Sequence, residues 1–227
     1  MKRLIATRSD ETQTDMAILT HPLLKSYAER CGADFKVIED CKGLHKHYRI
    51  MQFYDLFEEY DSILSVDTDI LISNKCPNIF EVVPENHIAS IYEDVGSRQE
   101  DRRKRITLVQ KQFGDVGWKT GYINTGFALF PKSSREIFKP VSEENLWLGL
   151  GFDDVYLGYQ IHKMNIPIYE LPIEYNFMSM FTENWCGKSR ADAFVTHYAG
   201  QGGFIPILER VGLMKDDLLT MRKYGQV

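Results

Sequence analysis

Cysteine is scarce: the four in 227 residues, Cys31, Cys41, Cys76 and Cys186, are scattered without metal-type pairing. That excludes a small disulfide-stapled class and leads us to expect free thiols in a reducing compartment. Positive charge is also short. Lys and Arg number 27 against 32 Asp and Glu, a net charge of -5, so a global affinity for nucleic acid or an anionic membrane is excluded. No apolar run approaches the ~20 residues of a membrane span. The start, Met1-Lys2-Arg3-Leu4-Ile5-Ala6-Thr7, turns polar at Arg8 and Ser9, too early for a signal-peptide core. A cytoplasmic protein without a transmembrane segment or nucleic-acid partner is expected. What is present, 44% hydrophobic and 12% aromatic residues, suffices for the core of one domain over residues 1–227.

One stretch sets a physical problem. Ile63, Leu64 and Val66 lead into Asp67-Thr68-Asp69, and Ile70, Leu71 and Ile72 lead out. Both flanks read as buried strand, where two carboxylates cannot sit unpaired. A cation at a strand end resolves this, and hard oxygen ligands suit magnesium or manganese, which a nucleotide diphosphate would co-ligate. An ordinary strand-end turn is the alternative that Asp-x-Asp alone leaves open.

The flanking chain alternates. Leu4–Thr7 reads as a first strand, a helix from Thr14 or Asp15 runs through Ala28 to a stop at Gly32, and Phe35–Ile38 is a second strand ending at Glu39 and Asp40. Ile50, Phe53 and Phe57 space a helix over 46–60 before the central strand. Such β-α-β-α-β alternation predicts a mostly parallel sheet with helices on both faces and a ligand crevice at the carboxyl ends of the strands, where Asp67 and Asp69 fall. Residues 79–82 read as a short helix and 88–91 as a strand. The charged stretch from Asp94 to Trp118, with Arg102-Arg103-Lys104-Arg105 at its centre, is either a solvated helix or a mobile lid over an anionic ligand. Tyr122–Phe130 reads as a strand holding Asn124-Thr125-Gly126, a close-approach step or a bulge. Residues 142–148 suggest a short helix. Asp153 and Asp154 open a helix ending near Met164; a cap accounts for one acid and leaves the other for a substrate hydroxyl or a base. A late strand covers 168–171, and Phe194–Gly200 carries His197 before a turn-rich stretch through Gly203.

Taken together these motifs resemble, in order, the GT-A fold glycosyltransferases, especially the retaining family-8 type. Asp67-Thr68-Asp69 after Tyr60-Asp61 is similar to the family's metal motif, Tyr122-Ile123-Asn124-Thr125-Gly126 to its Tyr-Phe-Asn-Ser/Ala-Gly strand, Leu171-Pro172-Ile173-Glu174-Tyr175-Asn176 to its Leu-Pro-x-x-Trp/Tyr-Asn step, and Thr196-His197-Tyr198-Ala199-Gly200 to its closing motif. The resemblance implies a Rossmann-like α/β sheet and transfer of a sugar from a nucleoside-diphosphate-sugar to a glycan, glycoprotein or lipid-linked acceptor. It implies Mn2+ or Mg2+ held by Asp67, Asp69 and His197, with Asn124, Asp153 and Asp154 at the reacting sugar. By fold analogy Ala6, Thr7, Arg8 and the acids Glu39 and Asp40 line the nucleoside site, and Arg49, Thr68 and Gly200 face the donor. Two departures stand out. Gln201-Gly202-Gly203-Phe204 replaces the family's Lys-Pro-Trp continuation, so a phosphate-binding cation is sought in Lys46, Arg49 or Arg102 to Arg105. Asp153-Asp154-Val155-Tyr156 also resembles the Glu-Asp-Val-Tyr segment of inverting β-1,3-galactosyltransferases, leaving the stereochemistry open. A haloacid-dehalogenase-like phosphatase and a non-catalytic carbohydrate-binding protein are the rival readings.

Overall fold

Alternating apolar strands and capped helices order the first third of the chain in a computed structural model, which describes residues 1–178, 186–199 and 207–227. β1 (Arg3–Arg8) is buried along nearly its whole length. Asp10 then closes a capping box with Gln13 around a 3-10 turn, and α1 (Thr14–Cys31) follows. Gly32, at φ +61°, takes the left-handed position that ends α1. β2 is Asp34–Ile38, α2 is Phe53–Leu56, β3 is Ser62–Asp67, β4 is Ile70–Ile72, α3 is Ile79–Val82 and β5 is Ile88–Ser90. After them come α4 (Gln99–Phe113), β6 (Phe127–Pro131), α5 (Phe152–Lys163), β7 (Ile168–Glu170), β8 (Phe177–Met178), β9 (Val195–His197) and a final helix, α6 (Ile207–Lys223).

Six strands form the main sheet in the order β2-β1-β3-β6-β5-β7. β6 pairs antiparallel with β3 and β5, and the other pairings are parallel. The expected mostly parallel α/β sheet is therefore present, with Asp67 as the last residue of β3. In the β1–β3 register Arg8 stands beside Asp67. One apolar cluster, holding Tyr48, Phe53, Trp118 and Tyr159, packs on one face of the sheet. A second, with Leu24, Tyr27 and Ile79, packs on the other. A small sheet, β4-β9-β8, sets His197 opposite Ile70 and beside Met178. No helix among the described residues is long and apolar enough to cross a membrane.

Three segments differ from the sequence expectation. Residues 46–60 are not one α-helix: Lys46–Gln52 is a 3-10 helix leading into the single turn of α2. Tyr48, Arg49, Ile50 and Met51 are all buried, and four consecutive buried residues do not fit a one-sided helical stripe. Residues 121–125 do not extend β6, because side chains take their backbone N–H groups. Asp94 Oδ1 accepts from Gly121 and Tyr122, Ser90 Oγ from Asn124, and Asp154 Oδ1 from Thr125. Within the charged stretch from Asp94 to Trp118, Gln99–Phe113 is helical, with Arg105, Ile106 and Val109 buried. Residues 142–148 keep only a 3-10 turn, Glu143–Asn145. Gly200 and the turn-rich residues through Gly203 lie outside the described residues.

Candidate metal centre and carboxylate cluster

β3 ends at Asp67, a two-residue turn follows, and β4 begins at Ile70. That turn carries Thr68 inward, where its hydroxyl donates to the Arg8 carbonyl at 2.8 Å, and leaves Asp67 and Asp69 facing one region. β9 brings His197 to them. Its Nε2 lies 3.2 Å from Asp69 Oδ1 and 3.7 Å from Asp67 Oδ2, and one ligand atom from each of the three residues falls within 4.8 Å of the others. Two carboxylate oxygens and an imidazole nitrogen form a donor set suited to manganese or magnesium. Gly126 keeps the space between them open: a Cβ there would stand 2.5 Å from His197 Cε1 and 2.8 Å from Asp67 Oδ2. The residues present fit a divalent cation.

Two arginines flank this centre. Arg8, buried in β1, donates to Asp67 Oδ1 at 2.6 Å and to Asp153 Oδ2 at 2.5 Å. Burial opposes its charge, but those two carboxylates hold its pKa above the ordinary value. Arg210, on α6, donates to Asp69 Oδ2 at 2.9 Å. Burial of Asp69 is outweighed by His197 and Arg210, and its carboxyl stays below the usual range. His197 is the more deeply buried of the two, and although burial opposes its charge, Asp69 and Asp67 raise its pKa.

Asp153 and Asp154 do not cap α5; Gly151 occupies the N-cap position with no side-chain cap bond. Thr125 Oγ1 lies 2.8 Å from Asp154 Oδ1 and 3.0 Å from Asp153 Oδ2. One hydroxyl has one proton to give, so both contacts are satisfied when Asp154 itself carries a proton. Burial, then Asp153 and Glu93, push its pKa up to about 8. A folded value above the unfolded one means stability that is complete below the unfolded pKa of about 4 and is lost as pH rises to about 8. Asp154→Asn, which mimics the protonated acid, is therefore expected to gain thermal stability over wild type progressively from pH 5 to 8, measured by thermal melts in chelator. Parallel melting profiles for the two proteins would refute this.

The remaining expected residues are distributed unevenly. Ala6 places its side chain in the core, and Thr7 is fully buried, with Oγ1 3.5 Å from Thr68 Oγ1. Asp40 is exposed and accepts from Lys42 N in a turn. Arg49 is buried and bonds Asp10. Neither Asp40 nor Arg49 bonds the metal-ligand trio among the described residues. Arg102 and Arg103 pair with Glu93 and Asp94, and Arg105 with Asp101. Asn124 is buried near the centre, donating from Nδ2 to Glu93 Oε1 at 2.6 Å. Glu93 and Arg210 are site neighbours that the sequence reading missed, and Asn176, quoted there within a motif, was given no role. The available signal for Glu93 was a short apolar strand ending in Glu93-Asp94, the same pattern that marked Asp67. At the rim, the rings of His45, His47 and Phe152 lie nearly parallel, with centroids 4.5 to 5.2 Å apart. Phe152 adopts φ +31°, a strained value for a bulky side chain.

No protein-family model and no curated protein matches the sequence. Solved structures match its fold. A glycosyltransferase involved in glycosylation of the major capsid of PBCV-1 matches at TM-score 0.65 and 17% identity, over 95% of this chain and 100% of that one. The galactosyltransferase LgtC, in complex with donor and acceptor sugar analogues, matches at TM-score 0.64 and 16% identity, over 94% and 95% of the two chains. Mouse xyloside xylosyltransferase 1 matches at TM-score 0.54 and 10% identity, over 91% and 100%. The fold is that of the GT-A glycosyltransferases.

Proposed function

We propose that this chain is a single-domain, divalent-cation-dependent glycosyltransferase that moves a sugar from a nucleoside-diphosphate-sugar to a hydroxyl of a glycan, glycoprotein or lipid-linked acceptor. The observation that carries the reading is the convergence of Asp67, Asp69 and His197 beside the carboxyl end of β3, in a fold shared with sugar-transferring enzymes. A manganese or magnesium ion held by these three residues would supply Lewis-acid neutralisation of charge developing on the leaving diphosphate.

The chain's own groups then divide the work. Arg210 and Arg8 abut the metal carboxylates, and we assign Arg210 the diphosphate contact ahead of Lys46, Arg49 and the Arg102 to Arg105 cluster, in which Arg49, Arg102, Arg103 and Arg105 pair with other carboxylates. Asp153 is fixed by Arg8, and it orients the donor sugar. Asp154, with its pKa near 8, titrates close to working pH, where a proton-transferring group is most effective. The ring faces of His45, His47 and Phe152 beside Asp153 suit the apolar face of a pyranose. Ala6, Thr7 and Asp40 are assigned to the nucleoside side, and Gly200 and Thr68 to the donor. Four free cysteines accord with a cytoplasmic location.

Screening nucleotide-sugars for manganese-dependent donor hydrolysis tests this reading. Release of nucleoside diphosphate, abolished by chelator and restored by Mn2+, is expected for at least one donor. Phosphate release from phosphomonoesters with no donor cleaved would favour the dehalogenase-like phosphatase. Donor or glycan binding without turnover would favour a non-catalytic carbohydrate-binding protein.

A further inference from the structure

Behind His197 runs a chain of buried polar groups whose directions can be deduced one bond at a time. Gly126 N lies 2.9 Å from one side-chain atom of Asn124. A backbone N–H only donates, so that atom is Oδ1. The other Asn124 terminal atom, 2.6 Å from Glu93 Oε1, is then the amide nitrogen, donating to a carboxylate that only accepts. Glu93 is 2% exposed and is fixed in turn by Arg98 Nη1 at 3.1 Å and Arg102 Nε at 2.6 Å. Burial is outweighed by those arginines, so its carboxyl lies below the ordinary range and stays ionised.

The next link is Asn176, with no exposed surface. Its side chain meets Asn124 Oδ1 at 2.8 Å, so it presents its amide nitrogen there and its oxygen to His197 Nδ1, also at 2.8 Å. Two acceptors do not bond, so Nδ1 carries the proton. The nitrogen left to bind a cation is Nε2, the one that faces Asp69 and Asp67. Amide and imidazole orientations are assigned from hydrogen-bond partners, and here every step ends on a group that can play only one part.

We infer that Asn176 and Asn124, anchored by Glu93, are positioning residues that hold His197 as its Nδ1–H tautomer and so keep Nε2 available for the divalent cation. The inference rests on the reading of Asp67, Asp69 and His197 as a cation site. It assigns Asn124 a role behind the metal ligand: Oδ1 already accepts two hydrogen bonds and Nδ2 gives one to Glu93. Outer partners of this kind typically change metal affinity by about 10–100-fold when removed.

Ring-15N-histidine spectra of the metal-free protein, taken above the pKa of His197, which Asp69 and Asp67 raise, so that its ring is neutral, read the tautomer directly. Wild-type His197 is expected to show a protonated Nδ1 and a bare Nε2. Asn176→Ala should move the proton toward Nε2 and weaken Mn2+ binding about 10–100-fold by calorimetry. Asn176→Asp, which keeps an acceptor for Nδ1–H but turns an oxygen toward Asn124 Oδ1, should keep the wild-type tautomer while losing the link to Asn124. A wild-type His197 protonated on Nε2 overturns the inference without any variant having to fold. Unchanged tautomer and affinity in a folded Asn176→Ala protein also overturn it. The spectra need no metal, so their failure is separate from that of the cation reading, which wild-type calorimetry decides.

Discussion

Asp69→Asn is expected to lower cation-dependent sugar transfer by about a thousandfold, matching the several kcal/mol of charge stabilisation that a bound metal supplies at a leaving group, with each 1.36 kcal/mol giving tenfold. The change removes one charge and leaves the shape intact. It also removes the carboxylate charge that faces both His197 and Arg210, which meet Asp69 on its two different oxygens. Manganese affinity should fall together with activity. Calorimetry with Mn2+ and nucleoside diphosphate, run beside a donor-hydrolysis assay, provides the check. Full activity with undiminished manganese affinity would remove Asp69 from the site.

Arg8→Met is expected to be among the most destabilising substitutions in the chain. The guanidinium is 8% exposed and bridges Asp67 and Asp153, so its loss strands the Asp153 carboxylate in the interior. Breaking a buried pair from one side typically costs about 3–5 kcal/mol. Asp67, with 34% of its side chain exposed, can rehydrate, which puts the loss near the lower end, about 3 kcal/mol. For a domain of this size that is a fall in Tm of roughly 6–12 °C. Adding Asp153→Asn to the variant should recover part of the loss, since the double change removes the stranded charge, and the coupling is measured by a double-mutant cycle. A Tm within about 2 °C of wild type in Arg8→Met would show that the bridge contributes little.

The fold was most legible where local signals agree with one another. In residues 1–72 short apolar strands alternate with capped or glycine-terminated segments, so the parallel α/β character and the placement of Asp67 at a strand end follow from periodicity and position. Legibility failed where side chains replace backbone partners, as at 121–125, since Asp94 and Asp154 are remote in sequence from the N–H groups they accept. It failed again at 46–52, where burial on all sides erases the stripe that separates helix types. The trio Asp67, Asp69 and His197 was reachable because its motifs resemble those of a known family. Arg210 lies 141 positions from Asp69 and Glu93 reaches His197 only through two amides, so no spacing rule could have linked either pair. α6 had no expectation at all, and its apolar positions, Val211, Met214 and Leu218, gain meaning only from packing with Met16, Leu71 and Tyr198.

The small sheet bears on how this protein reaches its working form. β4 has no partner until β9 arrives, and β9 comes from the far end of the chain. β1, β2 and β3 lie within the first third and can zip together early, because closing short loops costs less entropy than closing long ones. The carboxylates are thus housed long before the imidazole that completes their trio is in place. During synthesis from the amino end the main sheet can be assembled while the trio of Asp67, Asp69 and His197 is still incomplete, and Arg210, on α6, reaches Asp69 later still.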